Sequence, residues 1–197
     1  AVIISAVALL VLGAALIIYL ITNPTKNVKP PKHSQLTFEG NIYFFEDGSA
    51  WDISQISPDG QFTAYVAGEG NEKSIFVRDN SGEQAIEIFK GFTMVSSLRW
   101  SPDGNEIFFS AISDTTLSTY IIPKLGGKTQ QLKYFRSGSW SPDGNLIAGI
   151  LPQTKQIRII KRETDEVVKS IETNGDFVVL LDIDWSPNGD EILFLTY

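Results

Sequence analysis

The 197-residue sequence contains no cysteine and a single histidine, His33. No disulfide framework and no thiolate metal site is possible, and zero cysteine fits an oxidising or a reducing compartment equally well. One histidine cannot by itself build a histidine-dependent catalytic triad or a histidine-rich zinc site. No Gly-x-Ser-x-Gly occurs. These absences argue against an active site within the chain, and neither a catalytic residue, a metal ligand nor a cofactor is assigned. What is present is ordinary for a folded protein: 43% hydrophobic residues, 16 Gly and 22 aromatics. That composition excludes a disordered or collagen-like chain and allows a sizeable core.

Charge is absent from the first 22 residues, AVIISAVALLVLGAALIIYLIT, which also lack proline; Asn23-Pro24 ends the run. A helix of this length crosses a bilayer core of about 30 Å. The apolar run continues past Ala14-Ala15, longer than the core of a secretory signal peptide, so it reads as a retained single-pass anchor. Tyr19 suits an interfacial aromatic. The chain opens at Ala1 inside this run, which points to a fragment of a longer protein. Residues 23–35, NPTKNVKPPKHSQ, form an extended Pro/Lys-rich tether that reads as a solvated stalk, although such a basic run can also meet anionic lipid. All 23 Asp and Glu follow residue 35, with 13 of the 16 Lys and Arg, so residues 36–197 carry a net charge of −10. A surface this acidic repels a phosphate backbone, and nucleic-acid binding by this part is disfavoured.

The informative feature is a repeat. Ile56 opens ISPDGQFTAYVAG, Trp100 opens WSPDGNEIFFSAI, Trp140 opens WSPDGNLIAGIL, and Trp185 opens WSPNGDEILFLTY. The tetrads are Ser57-Pro58-Asp59-Gly60, Ser101-Pro102-Asp103-Gly104, Ser141-Pro142-Asp143-Gly144 and Ser186-Pro187-Asn188-Gly189, and their serines are 44, 40 and 45 residues apart. Proline presets the second position of a type I turn, Asp or Asn tolerates the third, and Gly suits the fourth. Each tetrad is therefore expected to be a hairpin turn. Alternating strands should follow, with Ile107 and Phe109, Ile147 and Gly149, Ile192 and Phe194 at equivalent positions, and Thr63 and Tyr65 a weaker match. Further strand and turn segments complete units of four antiparallel strands, the blade of a β-propeller. The expected fold is all-β: three full blades and a half, near 51–90, 95–136, 137–172 and from 178. Leu36 to Phe45 is a candidate closing strand. An open arc leaves an unpaired edge at each end, and edges template aggregation, so the chain alone should be poorly soluble.

These repeats resemble the WD-like propeller repeat of the TolB type, over residues 36–197. The segment ISPDGQFTAYVAGEGNEKSIFVRD, followed by IIPKLGGKTQQL and WSPDGNLIAGI, is similar to the C-terminal propeller regions of bacterial membrane-bound serine/threonine protein kinases; membrane-bound winged-helix regulators carry the same propeller class. The Gly-rich loop, His-Arg-Asp and Asp-Phe-Gly of a kinase do not occur in the chain. The resemblance implies a non-catalytic, membrane-anchored sensor or interaction domain that takes a protein or peptide at its mouth, outside the cytoplasm; Lys26, Lys29 and Lys32 count toward the opposite orientation. Two other readings stay open: the substrate gate of a membrane-anchored prolyl-oligopeptidase or dipeptidyl-peptidase-like serine hydrolase, and an envelope scaffold. Trp100, Trp140 and Trp185 share one repeat slot and are expected to pack blade on blade. Asp182 and Asp184, with Asp176 nearby, are read as acceptors of hydrogen bonds from neighbouring turns before a cation site, Asp59, Asp103 and Asp143 as turn residues, and Gly126-Gly127 as a hairpin turn.

Overall fold

The computed structural model describes Gly13, Tyr19 and residues 53–69, 72–82, 84–113, 116–132, 135, 137–151, 154–173 and 180–196. The chain divides into two compact units, Ala1–Gln35 and Leu36–Tyr197. In the first, Gly13 and Tyr19 are helical. The apolar run 1–22 otherwise lies outside the described residues, as do the tether, residues 36–45 and Asp176. Among the described residues no helix is long and apolar enough to cross a membrane.

The second unit is all-β. Sheet one runs β1 (Ser54–Ile56), β2 (Phe62–Glu69), β3 (Glu72–Asp79) and β4 (Ala85–Phe92). Sheet two holds β5 (Met94–Trp100), β6 (Glu106–Ser113), β7 (Thr116–Pro123) and β8 (Gln130–Leu132). Sheet three holds β9 (Ser137–Trp140), β10 (Leu146–Ile150), β11 (Gln156–Lys161) and β12 (Val167–Glu172), and a hairpin of β13 (Leu180–Trp185) and β14 (Ile192–Thr196) follows. Every neighbouring pair is antiparallel and every sheet is ordered as the chain is. Four successive strands per sheet, repeated, is the propeller blade. The first strands of the sheets, β1, β5, β9 and β13, lie beside one another in that order and form the inner wall.

Each Ser-Pro-Asp/Asn-Gly tetrad joins the first strand of a sheet to the second. The Gly N–H donates to the Ser carbonyl, at 2.8 Å for Gly60 and 2.9 Å for Gly104, Gly144 and Gly189. All four glycines have positive φ, between 68° and 78°, where a side chain is strained. The Ser hydroxyl works in two directions. It accepts from the backbone N–H of Phe62, Glu106, Leu146 or Glu191, each at 2.9 Å. In the first three turns it also donates to the Asp carboxylate, at 2.5, 2.5 and 2.6 Å. That donated proton, with the backbone N–H two residues on, holds Asp59, Asp103 and Asp143 below the usual carboxylate value.

The sheets seal against each other by two different devices. Between sheets one and two the filling is aromatic: the rings of Phe89 and Phe92 are 4.7 Å apart, Phe89 and Phe109 5.2 Å, and Phe109 and Tyr120 5.3 Å. Between sheets two and three, rings enter space that glycines leave. Gly138 pairs with Gly149 across β9 and β10. A Cβ on Gly138 would lie 2.6 Å from the Phe108 ring, and one on Gly149 2.2 Å from the Phe135 ring, so no side chain fits at either position. Arg162, beyond β11, adds a bidentate ion pair to Glu106 at the start of β6.

Because the second strands β2, β6 and β10 are covered on both sides, alternation fails there. Phe108 is as fully buried as Ile107 and Phe109, and β6 is buried from Ile107 to Ala111. Thr63 and Tyr65 are buried too, so the first repeat fills its slot with less apolar residues. Outer strands behave differently, and β12 is exposed over most of its length.

Candidate functional site

Inner strands expose alternate residues to the space they surround. Counting back two residues from each turn serine gives Gln55, Arg99, Ser139 and Asp184; counting back four gives Ile53, Ser97, Ser137 and Asp182. The first set meets around a cavity of about 400 Å³, walled also by Trp100, Trp140 and Pro102 of the turn beyond. The cavity therefore opens at the turn side of the arc. Successive turns stack along this rim: a Cβ on Gly104, Gly144 or Gly189 would lie 3.6, 3.8 and 3.6 Å from Pro58, Pro102 and Pro142 of the preceding turn.

Polar contacts tie the inner strands together. Ser137 Oγ donates to Asp182 Oδ1 at 2.8 Å, and Ser139 Oγ to Asp184 Oδ1 at 2.7 Å. Arg99 Nη2 reaches Asp182 Oδ2 at 3.2 Å, an ion pair between the second sheet and the fourth. Asp184 Oδ1 also accepts from the Trp185 N–H at 3.0 Å, and Asp184 forms no ion pair among the described residues. These carboxylates thus accept hydrogen bonds from the neighbouring inner strand, and from an arginine, rather than from turns. Among the described residues no group of His, Asp or Glu is arranged to hold a metal ion.

A bulge in β5 delivers Arg99. Ser96 pairs with Ser110 and Arg99 with Phe108, so one extra residue is accommodated, with Ser97 at a φ of 53°. Bulges of this kind turn side chains toward sites and persist where surrounding structure holds them.

The repeated tryptophans stand between sheets. Trp100 belongs to the core shared by the first two sheets, and its indole N–H donates to the Gln55 carbonyl at 3.0 Å. Trp140 packs with Phe108, Ile121 and Leu132 of sheet two and Ile147 of its own, while Trp185 lies against the core of sheet three. The indole nitrogens of Trp140 and Trp185 are buried without a hydrogen-bond partner among the described residues. Gly126 and Gly127, both at positive φ, lie in the turn from β7 to β8, where the Gly126 N–H donates to the Pro123 carbonyl at 2.8 Å.

The Arg99–Asp182 pair and the ring of Gln55, Arg99, Ser139 and Asp184 carry no motif that marks them in the sequence. A weaker signal exists: Ser137 and Asp182, and Ser139 and Asp184, are each 45 residues apart, the spacing of their turn serines. Equivalent inner positions of neighbouring blades are the ones that meet.

The WD40 family model, described as WD domain, G-beta repeat, matches residues 83–120. That stretch runs from β4 into β7, across a blade boundary. A subunit of eukaryotic translation initiation factor 3 from Xenopus laevis is 32% identical over 113 residues, covering 51% of this chain and 16% of that protein. Among solved structures, TolB from Acinetobacter baumannii superposes with a TM-score of 0.56 at 17% identity, covering 72% of this chain and 36% of that one. The β-propeller domain of the Trilobed protease from Pyrococcus furiosus gives 0.51 at 19% identity, covering 68% and 44%. The chain spans less than half the length of each of these three proteins. Repeat, blade topology and structural likeness agree: the described residues between 53 and 196 fold as β-propeller blades similar to those of TolB and of WD repeats.

Proposed function

We propose that this chain is a non-catalytic, membrane-anchored β-propeller that binds a protein or peptide at the turn-side mouth of its inner wall. It would serve as the sensing or interaction half of a receptor-type bacterial serine/threonine kinase or winged-helix regulator.

One observation carries the interaction reading. Positions that hold blades together repeat from unit to unit, as Ser, Pro and Gly do in all four turns and Trp does before three of them. The ring position at the mouth does not repeat: it is Gln55, Arg99, Ser139 and Asp184 in turn, around an open cavity. Four different side chains converging on one space make a face that can discriminate, with hydrogen-bond donors, acceptors and both charges beside two indoles. Propellers of the WD40 and TolB type are generally non-catalytic. The Xenopus relative is by name one subunit of a larger factor, which suits a binding module. The uncharged run over residues 1–22 supports the anchor, and resemblance alone supports the kinase or regulator assignment.

The test is site-specific photo-crosslinking in cells producing the intact protein, with the photoreactive residue placed at Gln55 on the mouth or at Val168 on exposed β12. A discrete protein adduct from position 55 and none from position 168 is the expected result. Adducts from position 168 alone would overturn the mouth as binding face. An Asp165→Cys substitution, compared with the parent protein, reports sidedness by labelling with an impermeant maleimide; an extracytoplasmic propeller gains label in intact cells.

A further inference from the structure

The charge balance of the mouth narrows what it binds, on the reading that it is a partner site. Among the described residues two charged side chains line the cavity, Arg99 and Asp184. Arg99 is committed within the wall, with Nη2 on Asp182 Oδ2 at 3.2 Å, and Asp182 is held in turn by Ser137. Asp184 is different. It is exposed, the hydrogen bonds it accepts from Ser139 and the Trp185 N–H both fall on Oδ1, and no cation among the described residues pairs with it. The arginine and Asp182 offset each other, so the charge left over in the cavity is the negative charge of Asp184.

The remaining walls suit the same ligand. Trp100 and Trp140 border the cavity with the small part of each ring that the cores leave uncovered, an apolar surface for the stem of a long side chain. A volume of about 400 Å³ holds one long side chain with its adjoining backbone, at the small end of ligand sites. Gln55 and Ser139 supply neutral hydrogen-bonding groups for that backbone. Residues 36–197 carry a net charge of −10, which favours the approach of a basic segment. An acidic side chain in the same place would lie against the Asp184 carboxylate.

We infer that the mouth accepts a lysine or arginine side chain of an extended partner peptide, its cationic head on the Asp184 carboxylate and its stem beside Trp100 and Trp140.

Four blocked pentapeptides, identical except for Arg, Lys, Gln or Glu at the centre, are titrated into the intact protein and followed by the indole N–H resonances of ¹⁵N-tryptophan. The Arg or Lys peptide should bind at least about tenfold more tightly than the Gln peptide, the size of one charge-assisted hydrogen bond. Trp100 and Trp140 resonances should move, and the preference should weaken with added salt. Asp184→Asn keeps an acceptor for Ser139 and the Trp185 N–H, and should reduce the Arg and Lys peptides to within about twofold of Gln. Equal binding of all four peptides, tighter binding of Glu, a basic preference that survives Asp184→Asn, or no binding at millimolar peptide would overturn the inference. Crosslinking from position 55 separates the two levels of failure. Adducts there without a basic preference leave the interaction reading standing and remove only the ligand class. Adducts on the outer strands alone remove both.

Discussion

Strands β6 and β14 occupy the same place in their repeats, and their sequences, Glu-Ile-Phe-Phe and Glu-Ile-Leu-Phe, barely differ. Their surroundings differ completely. Ile107, Phe108 and Phe109 are fully buried, whereas Leu193 is 76% exposed and Phe194 38%. The repeat therefore specifies a strand and its turn, while the neighbouring sheet supplies the burial that stabilises it. A blade gains most of its energy from what stands on either side, as in other quasi-linear repeat folds.

That contrast breaks most sharply at the equivalent phenylalanines. Phe109→Ala should cost about 3–5 kcal/mol by emptying the aromatic cluster, and Phe194→Ala less than about 1 kcal/mol. Urea unfolding of the whole chain in detergent micelles, followed by the fluorescence of its four tryptophans, measures both. A similar loss at the two positions would mean that β14 is as well covered as β6.

Next in size is Gly149→Val. Its Cβ would lie 2.2 Å from the Phe135 ring, and such overpacking should cost about 3 kcal/mol. Adding Phe135→Ala should recover part of that loss, because residues in contact couple, although the ring's own burial is forfeited. Independent, additive losses in the same unfolding assay would show that the glycine is not making room for the ring.

The turns sharpen the comparison at lower energy. Ser101 is buried and bonds both Asp103 and the Glu106 N–H, so Ser101→Ala should cost about 1–2 kcal/mol; half-buried Ser186, opposite Asn188 in place of Asp, should cost less in the same substitution. The difference depends on pH. Asp103 has its carboxyl lowered from 3.8 chiefly by the Ser101 hydroxyl, so its contribution is present above pH 3.8 and is lost as pH falls through the lowered value. Ser101→Ala should therefore narrow its gap to the parent chain below pH 3.8. An unchanged gap through that range would dissociate the serine from the carboxylate.

Smallest is the exchange Asn188→Asp with Asp190→Asn, which gives Ser186 a charged partner while keeping an amide–carboxylate contact like that of Asn188 Nδ2 to Asp190 at 3.0 Å. It should add about 0.5 kcal/mol at neutral pH, an advantage that vanishes in acid. Thermal melts at neutral and acidic pH compare the two chains. Equal melting temperatures at neutral pH would mean that the fourth turn gains nothing from the carboxylate.

The turns and strand order were legible because they depend on local chemistry: proline's fixed φ, glycine's access to positive φ, and a serine within reach of its own aspartate. Burial was less legible. Alternation describes a sheet with one wet face, but β6 has none, so Phe108 is as buried as its neighbours. Gly149 stands where other repeats have Phe109 and Phe194, yet it is the position that admits Phe135. The mouth was hardest to see, because Arg99 and Asp182 are 83 residues apart and meet only through the stacking of inner strands. Neither a motif nor the repeat register marks them, since Arg99 stands two residues before its turn serine and Asp182 four before its own.

The mouth as binding face is tested most directly by charge reversal in the intact protein, comparing Asp184→Lys in the cavity with Lys169→Glu on exposed β12, each checked for unchanged urea unfolding. Recovery of the partner that crosslinks at position 55 should fall at least about tenfold for Asp184→Lys and stay at the parent level for Lys169→Glu. Loss with Lys169→Glu and retention with Asp184→Lys would contradict it and move the interaction to the outer strands.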